Sequence, residues 1–132
     1  MRREHIRNAA VLPRSLERRL REAGGSPPQC IGLCHGLTGN AEVLVYGRQA
    51  LGTEWADSSA LAYEVANAGI ETCVARGLPW PCGTGIGGET PNLMLGLAGI
   101  GHFYLRLHDP TIPSVLMLRR EDFSSNESKG VM

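Results

Sequence analysis

The chain has 132 residues, 42% of them apolar and 20% charged, with thirteen basic residues balancing thirteen acidic ones. That length suits one modest domain with a single core, and the even charge excludes broad electrostatic attraction to nucleic acid or an anionic membrane. No apolar run reaches the ~18 residues of a membrane span, and the charged first residues, with no apolar stretch after them, predict no secretory signal. The expected location is cytoplasmic, where Cys30, Cys34, Cys73 and Cys82 would stay reduced.

Residues 2 to 23 read as an amphipathic helix, with Ile6, Ala10, Pro13, Leu16 and Leu20 at helical spacing. Arg2, Arg3, Arg7, Arg14, Arg18, Arg19 and Arg21 read as its solvated face. Pro13 removes a backbone hydrogen bond, so a kink or a helix start is expected there. Gly24 and Gly25 end the helix, and Ser26-Pro27-Pro28 forms a stiff connector. A second helix is expected from near Thr38 or Asn40 to about Ala50, with Leu37, Ala41, Leu44 and Val45 as its apolar stripe. A third is expected from an Asp57 N-cap to about Arg76, with Leu61, Val65, Ala68 and Thr72 on one face.

After a glycine- and proline-rich loop, Gly77 to Gly88, Thr90 and Pro91 predict a fourth helix start. From Leu93 to Leu107 that helix is apolar almost all round, which predicts burial on most faces. Glu89 and Asp109 are expected to cap helix ends, and His102 and His108 to be structural. Asp109, Pro110 and Pro113 stop the helix, and Ser114 to Leu118 reads as extended. Residues 1–122 are taken as one domain portion and 123–132 as a flexible tail.

Two segments repeat one another. His35-Gly36-Leu37-Thr38-Gly39 aligns with Leu95-Gly96-Leu97-Ala98-Gly99, with both glycines offset by 60 residues. Glycines three apart share a helix face and let a neighbouring backbone come close. The pattern fits an all-α array of helical hairpins.

Cys34-His35-Gly36 is the sharpest chemical feature. Thiolate and neutral imidazole are favoured zinc ligands, at ~2.3 Å and ~2.0–2.1 Å. Adjacent residues diverge by roughly 100° in mid-helix, so both could face one metal only from a loop or a first turn, which Gly32, Gly36 and Gly39 permit. A buried cysteine beside a core histidine explains the pair equally well. A closed structural site of Cys30, Cys34, His35 and Cys82 is a further reading, without the usual CxxC spacing. Gly83-Thr84-Gly85-Ile86-Gly87-Gly88 satisfies GxGxxG, but a helix and not a strand precedes it, which excludes dinucleotide binding.

Leu33-Cys34-His35-Gly36, followed by Gly39-Asn40 and an apolar helix, resembles the zinc-binding segment of lanthionine cyclases. Trp80-Pro81-Cys82-Gly83, Gly88-Glu89-Thr90-Pro91-Asn92-Leu93-Met94 and Gly96-Leu97-Ala98-Gly99-Ile100-Gly101 resemble that family's closing motif. Leu105-Arg106-Leu107, Asp109-Pro110 and Pro113-Ser114-Val115-Leu116-Met117-Leu118 are similar to the end of class II lanthipeptide synthetases. The resemblance spans about residues 30 to 118.

It implies part of an α/α toroid of nested helical hairpins, six in the full barrel, with Zn2+ held by two cysteines and one histidine. Carried over by motif, the metal ligands are Cys34 and His35. The implied activity is addition of a metal-activated cysteine thiolate to dehydroalanine or dehydrobutyrine, closing a thioether ring. The implied partner is a ribosomal precursor peptide with dehydrated Ser/Thr. A relative that adds glutathione to dehydrated residues would share this chemistry. The family's first cysteine ligand lies in a tryptophan-cysteine-glycine motif several tens of residues before Cys-His-Gly, which has no counterpart here. The chain is therefore expected to be a C-terminal fragment, inactive alone and completed by the missing N-terminal part. Apolar surface on the fourth helix is expected to leave it marginal or self-associating. The competing expectation is a small non-catalytic helical module with a structural zinc site or no metal.

Overall fold

The computed structural model describes residues 14, 15, 18, 19, 21, 22, 30–51, 56–85 and 88–117. The described residues form helices and turns with no strand, so the fold is all-α as the periodicity predicts. Arg14, Ser15, Arg18, Arg19, Arg21 and Glu22 are helical, with an exposed Arg18–Glu22 ion pair at 3.6 Å. The rest of the expected first helix, its proline connector and the tail lie outside the described residues.

Among the described residues the fold is carried by α1 (Leu37–Leu51), α2 (Ala56–Gly69) and α3 (Leu97–His108). The principal packing is α1 on α2, with α3 lying against α1. Leu37, Ala41, Leu44 and Val45 of α1 meet Leu61, Ala62, Val65 and Ala66 of α2 around Phe103 of α3. Burying Phe103 completely contributes about 1.5–3 kcal/mol by transfer. A second cluster, Ile31, Cys73, Cys82 and Ile100, lies under Trp80 and Tyr104.

Helix α2 continues into a single π-helical stretch, Ile70–Ala75. The Tyr104 hydroxyl donates to the Ala66 carbonyl at 2.7 Å. In an α-ladder that carbonyl would serve the N–H of Ile70, the residue where the π geometry begins. Asp57 is the second residue of α2 and so not its cap, a difference of two residues at a helix end.

The sixty-residue repeat is a structural repeat. Before α1, Leu37 N–H donates to Cys30 O at 3.2 Å; before α3, Leu97 N–H donates to Thr90 O at 2.8 Å. Asn40 N–H to Gly36 O and Ile100 N–H to Gly96 O repeat at the same offset. A Cβ on Gly39 would collide with the Leu33 carbonyl, and one on Gly99 with the Leu93 carbonyl. Each glycine is thus fixed by the close approach of its own entry turn.

Several expectations are corrected. Thr90 and Pro91 do not start α3. The Asn92 carboxamide accepts the N–H groups of Met94 at 2.8 Å and Leu95 at 3.0 Å, and this turn delays the helix until after Gly96. Helix α3 is not buried on most faces: Leu105 is 57% exposed, and Leu93 and Met94 before the helix are also exposed. Glu89 caps no helix, since its Oε1 accepts the Trp80 N–H at 3.0 Å. Asp109 stands at the α3 C-cap, but its carboxylate takes the Thr111 N–H and hydroxyl, at 2.9 and 2.7 Å. Ser114–Met117 bends, with the Leu116 N–H on the Ser114 hydroxyl at 3.2 Å, where an extended stretch was expected.

Candidate functional site

Cys34 and His35 occupy the entry turn before α1, a setting from which adjacent residues could face one metal, and both side chains are exposed. The reading of a buried cysteine beside a core histidine is therefore wrong. The turn is anchored from within by Gly36 N–H to Gly32 O at 3.0 Å, and by the Thr38 hydroxyl and N–H, both on Ile31 O.

It is anchored from outside by the second repeat. Cys34 N–H donates to Met94 O at 2.8 Å, and Ile31 N–H to Pro81 O at 2.9 Å. Gly83 N–H donates to Leu95 O at 2.8 Å, which ties the Trp80–Gly83 segment to the Asn92–Leu95 turn. Gly83 lies under the His35 ring: a Cβ there would stand 3.0 Å from Cε1 and 3.1 Å from Nε2. The two motifs that sequence reading singled out, some fifty residues apart, therefore meet at one place.

The other candidate donors do not join them. Cys30 is half-buried, and Cys82 is buried in the cluster with Cys73. Among the described residues no three His, Cys, Asp or Glu side chains gather as a metal ion would need, so the closed site of Cys30, Cys34, His35 and Cys82 is not formed. The adjacent thiol and imidazole are the donor types zinc takes, and they fit as part of a site. Burial pushes the Cys73 thiol up from its ordinary value and Glu89 adds to this, so Cys73 is a poor nucleophile. His102 is structural, with Nε2–H on Pro113 O at 3.2 Å.

Beneath the entry turns, Glu42 of α1 and Arg106 of α3 form an ion pair with both side chains at 0% exposure. Arg106 also donates from Nε to Ile112 O at 2.9 Å and from a terminal nitrogen to Gln49 Oε1 at 3.0 Å. The sequence did not single out Glu42, and Arg106 entered only within the Leu105-Arg106-Leu107 motif. The available signal was the one acid of α1 between Ala41 and Val43, and the one arginine of α3 between Leu105 and Leu107.

Fold and site together define an all-α protein built from repeated helix-entry turns, one of which presents a thiol and an imidazole to solvent. The family model for lanthionine synthetase C-like proteins matches residues 24–118, and the chain belongs to that family. No curated protein and no solved structure matched it. No helix among the described residues is long and apolar enough to cross a membrane.

Proposed function

We propose that the chain is the C-terminal part of a cytoplasmic class II lanthipeptide synthetase cyclase, part of an α/α toroid, with Cys34 and His35 as two of three protein ligands of Zn2+. The observation that carries this reading is the exposed Cys34–His35 turn seated on the closing motif, with the His35 ring against Gly83. Bound zinc would lower the pKa of a substrate cysteine from ~8.5, giving at neutral pH a thiolate that adds to the β-carbon of a dehydrated Ser or Thr. The substrate is a ribosomal precursor peptide, and the class II ending favours this over glutathione addition.

The chain's own residues hold the donors. Backbone bonds of Ile31, Cys34, Gly36, Leu37 and Thr38 fix the turn's shape, and both side chains face solvent, where a peptide can approach. The third ligand comes from outside the described residues, in a tryptophan-cysteine-glycine segment of the upstream part of the synthetase, so ring formation needs that part.

Zinc affinity of the purified chain, beside Cys30→Ala, Cys34→Ala and His35→Ala, tests the reading. The expected result is weak binding that is lost with Cys34→Ala and His35→Ala and indifferent to Cys30→Ala. Tight, stoichiometric zinc lost with Cys30→Ala as well would replace the open catalytic site by a closed structural one.

A further inference from the structure

We infer that Gly83 is a positioning residue for the His35 imidazole: its missing side chain is the space in which the ring rests. The inference rests on the proposed role of His35 as a metal ligand.

His35 is exposed and on a turn, and among the described residues no hydrogen bond orients its ring. What lies against the ring is Gly83. A Cβ there would meet His35 Cε1 at 3.0 Å, His35 Nε2 at 3.1 Å and Leu95 Cδ2 at 3.1 Å. Contacts this short require a neighbour to give by a few tenths of an ångström. Leu95 is half-buried and tied by its carbonyl to the Gly83 N–H, whereas the His35 side chain borders solvent. The imidazole is the group that moves.

Gly83 is not needed for backbone reasons. The positive-φ glycines among the described residues are Gly77 and Gly88, so alanine is conformationally acceptable at position 83. The glycine is therefore explained by what rests on it. It is also well held: its N–H is bound to Leu95 O, and the adjoining Pro81 carbonyl accepts the Ile31 N–H at the start of the ligand turn. The same short segment fixes both the backbone of the turn and the ring it carries. Groups that orient a metal-ligating imidazole commonly change metal affinity by about 10–100-fold when altered.

The test uses Gly83→Ala in the whole chain, with two readouts. Without metal, the His35 ring-proton NMR signals at one fixed pH, assigned with His35→Ala, should move in Gly83→Ala while thermal unfolding stays near the parent's. With Co2+ as the probe, the chain should show a thiolate charge-transfer band that needs Cys34, and Gly83→Ala should weaken binding about 10-fold while keeping the band. Unchanged His35 ring signals would overturn the positioning role whatever the metal does. Moved ring signals with no Cys34-dependent cobalt band would uphold the positioning and overturn the metal reading it rests on. If Gly83→Ala fails to fold, the Gly83→Ala, Leu95→Ala pair relieves the leucine side, keeps the methyl against His35 and carries the same measurements.

Discussion

Breaking the Glu42–Arg106 pair should destabilise the chain more than any exposed substitution. Both side chains are at 0% exposure, so neither charge is screened by water. Arg106→Met would strand the Glu42 carboxylate in the core, and removing one partner of a buried pair costs about 3–5 kcal/mol. The lost bonds to Ile112 O and Gln49 add about 1 kcal/mol each at most, since both acceptors have access to solvent. A domain commonly has about 5–15 kcal/mol in total, so Arg106→Met and Glu42→Met should each lose a large share of the stability. The double variant removes both charges and keeps unbranched side chains of similar length, so it should regain stability and approach the parent. Urea unfolding followed by far-UV circular dichroism measures all four chains. A single variant within about 1 kcal/mol of the parent would refute the reasoning. So would a double variant as unstable as the two singles added.

Two neighbouring glycines of α3 should respond in opposite directions. Gly99→Ala drives a methyl into the Leu93 carbonyl and to 2.9 Å from the Leu33 side chain, and should lose about 1–3 kcal/mol. Gly101→Ala meets nothing within 4 Å and should gain about 0.5–1 kcal/mol, both read as shifts in the urea midpoint. At alkaline pH stability should fall. Burial raises the Cys73 thiol above its ordinary 9.0, with Glu89 adding, and burial pushes the Tyr104 phenol from 10.0 to about 12, with Cys73 adding. The unfolded chain releases these protons first, so stability is full below about pH 9 and declines as pH climbs towards 12. Tyr104→Phe should shrink that decline while losing about 1 kcal/mol with the bond to Ala66. The groove of about 620 Å³ on α3, lined by Leu93, Leu97, Gly101 and Leu105 among others, should make the chain associate. Sedimentation should show oligomers that Leu105→Glu reduces; a parent that stays monomeric at high concentration would count against this.

Much of the architecture was legible because it is written in periodic apolar residues. The α1 stripe of Leu37, Ala41, Leu44 and Val45 is the buried face, and the glycine offset marked two equivalent helix starts. The start of α3 was misjudged because Thr90-Pro91 is a good local signal overridden by a competing one. Asn92 captures the N–H groups of Met94 and Leu95 first, and the helix starts only after Gly96. The apolarity of α3 was read as all-round burial. Apolar composition states what a helix needs covered, and says nothing of whether the chain supplies the cover. Cys34 and His35 were legible from residue type, but the support under them was not. The hydrogen bonds from Cys34 to Met94 and from Ile31 to Pro81 involve backbone atoms, which leave no mark on side-chain identity. The π-helical stretch was equally invisible: the carbonyl preceding it is taken by a tyrosine from α3 some forty residues away in sequence.

The two entry turns place Cys34 and His35 in one copy where Met94 and Leu95 stand in the other, on the same backbone pattern. The bonds that shape these turns run through main-chain atoms, glycines, Thr38 and Asn92, and none uses the side chains displayed at those two points. The residues at those two points and the frame that carries them are therefore separable. A descendant could exchange the thiol and imidazole for other residues and still fold, keeping a family shape from which the chemistry has gone. Conversely, a designer could write a donor pair into the second turn without rebuilding its frame.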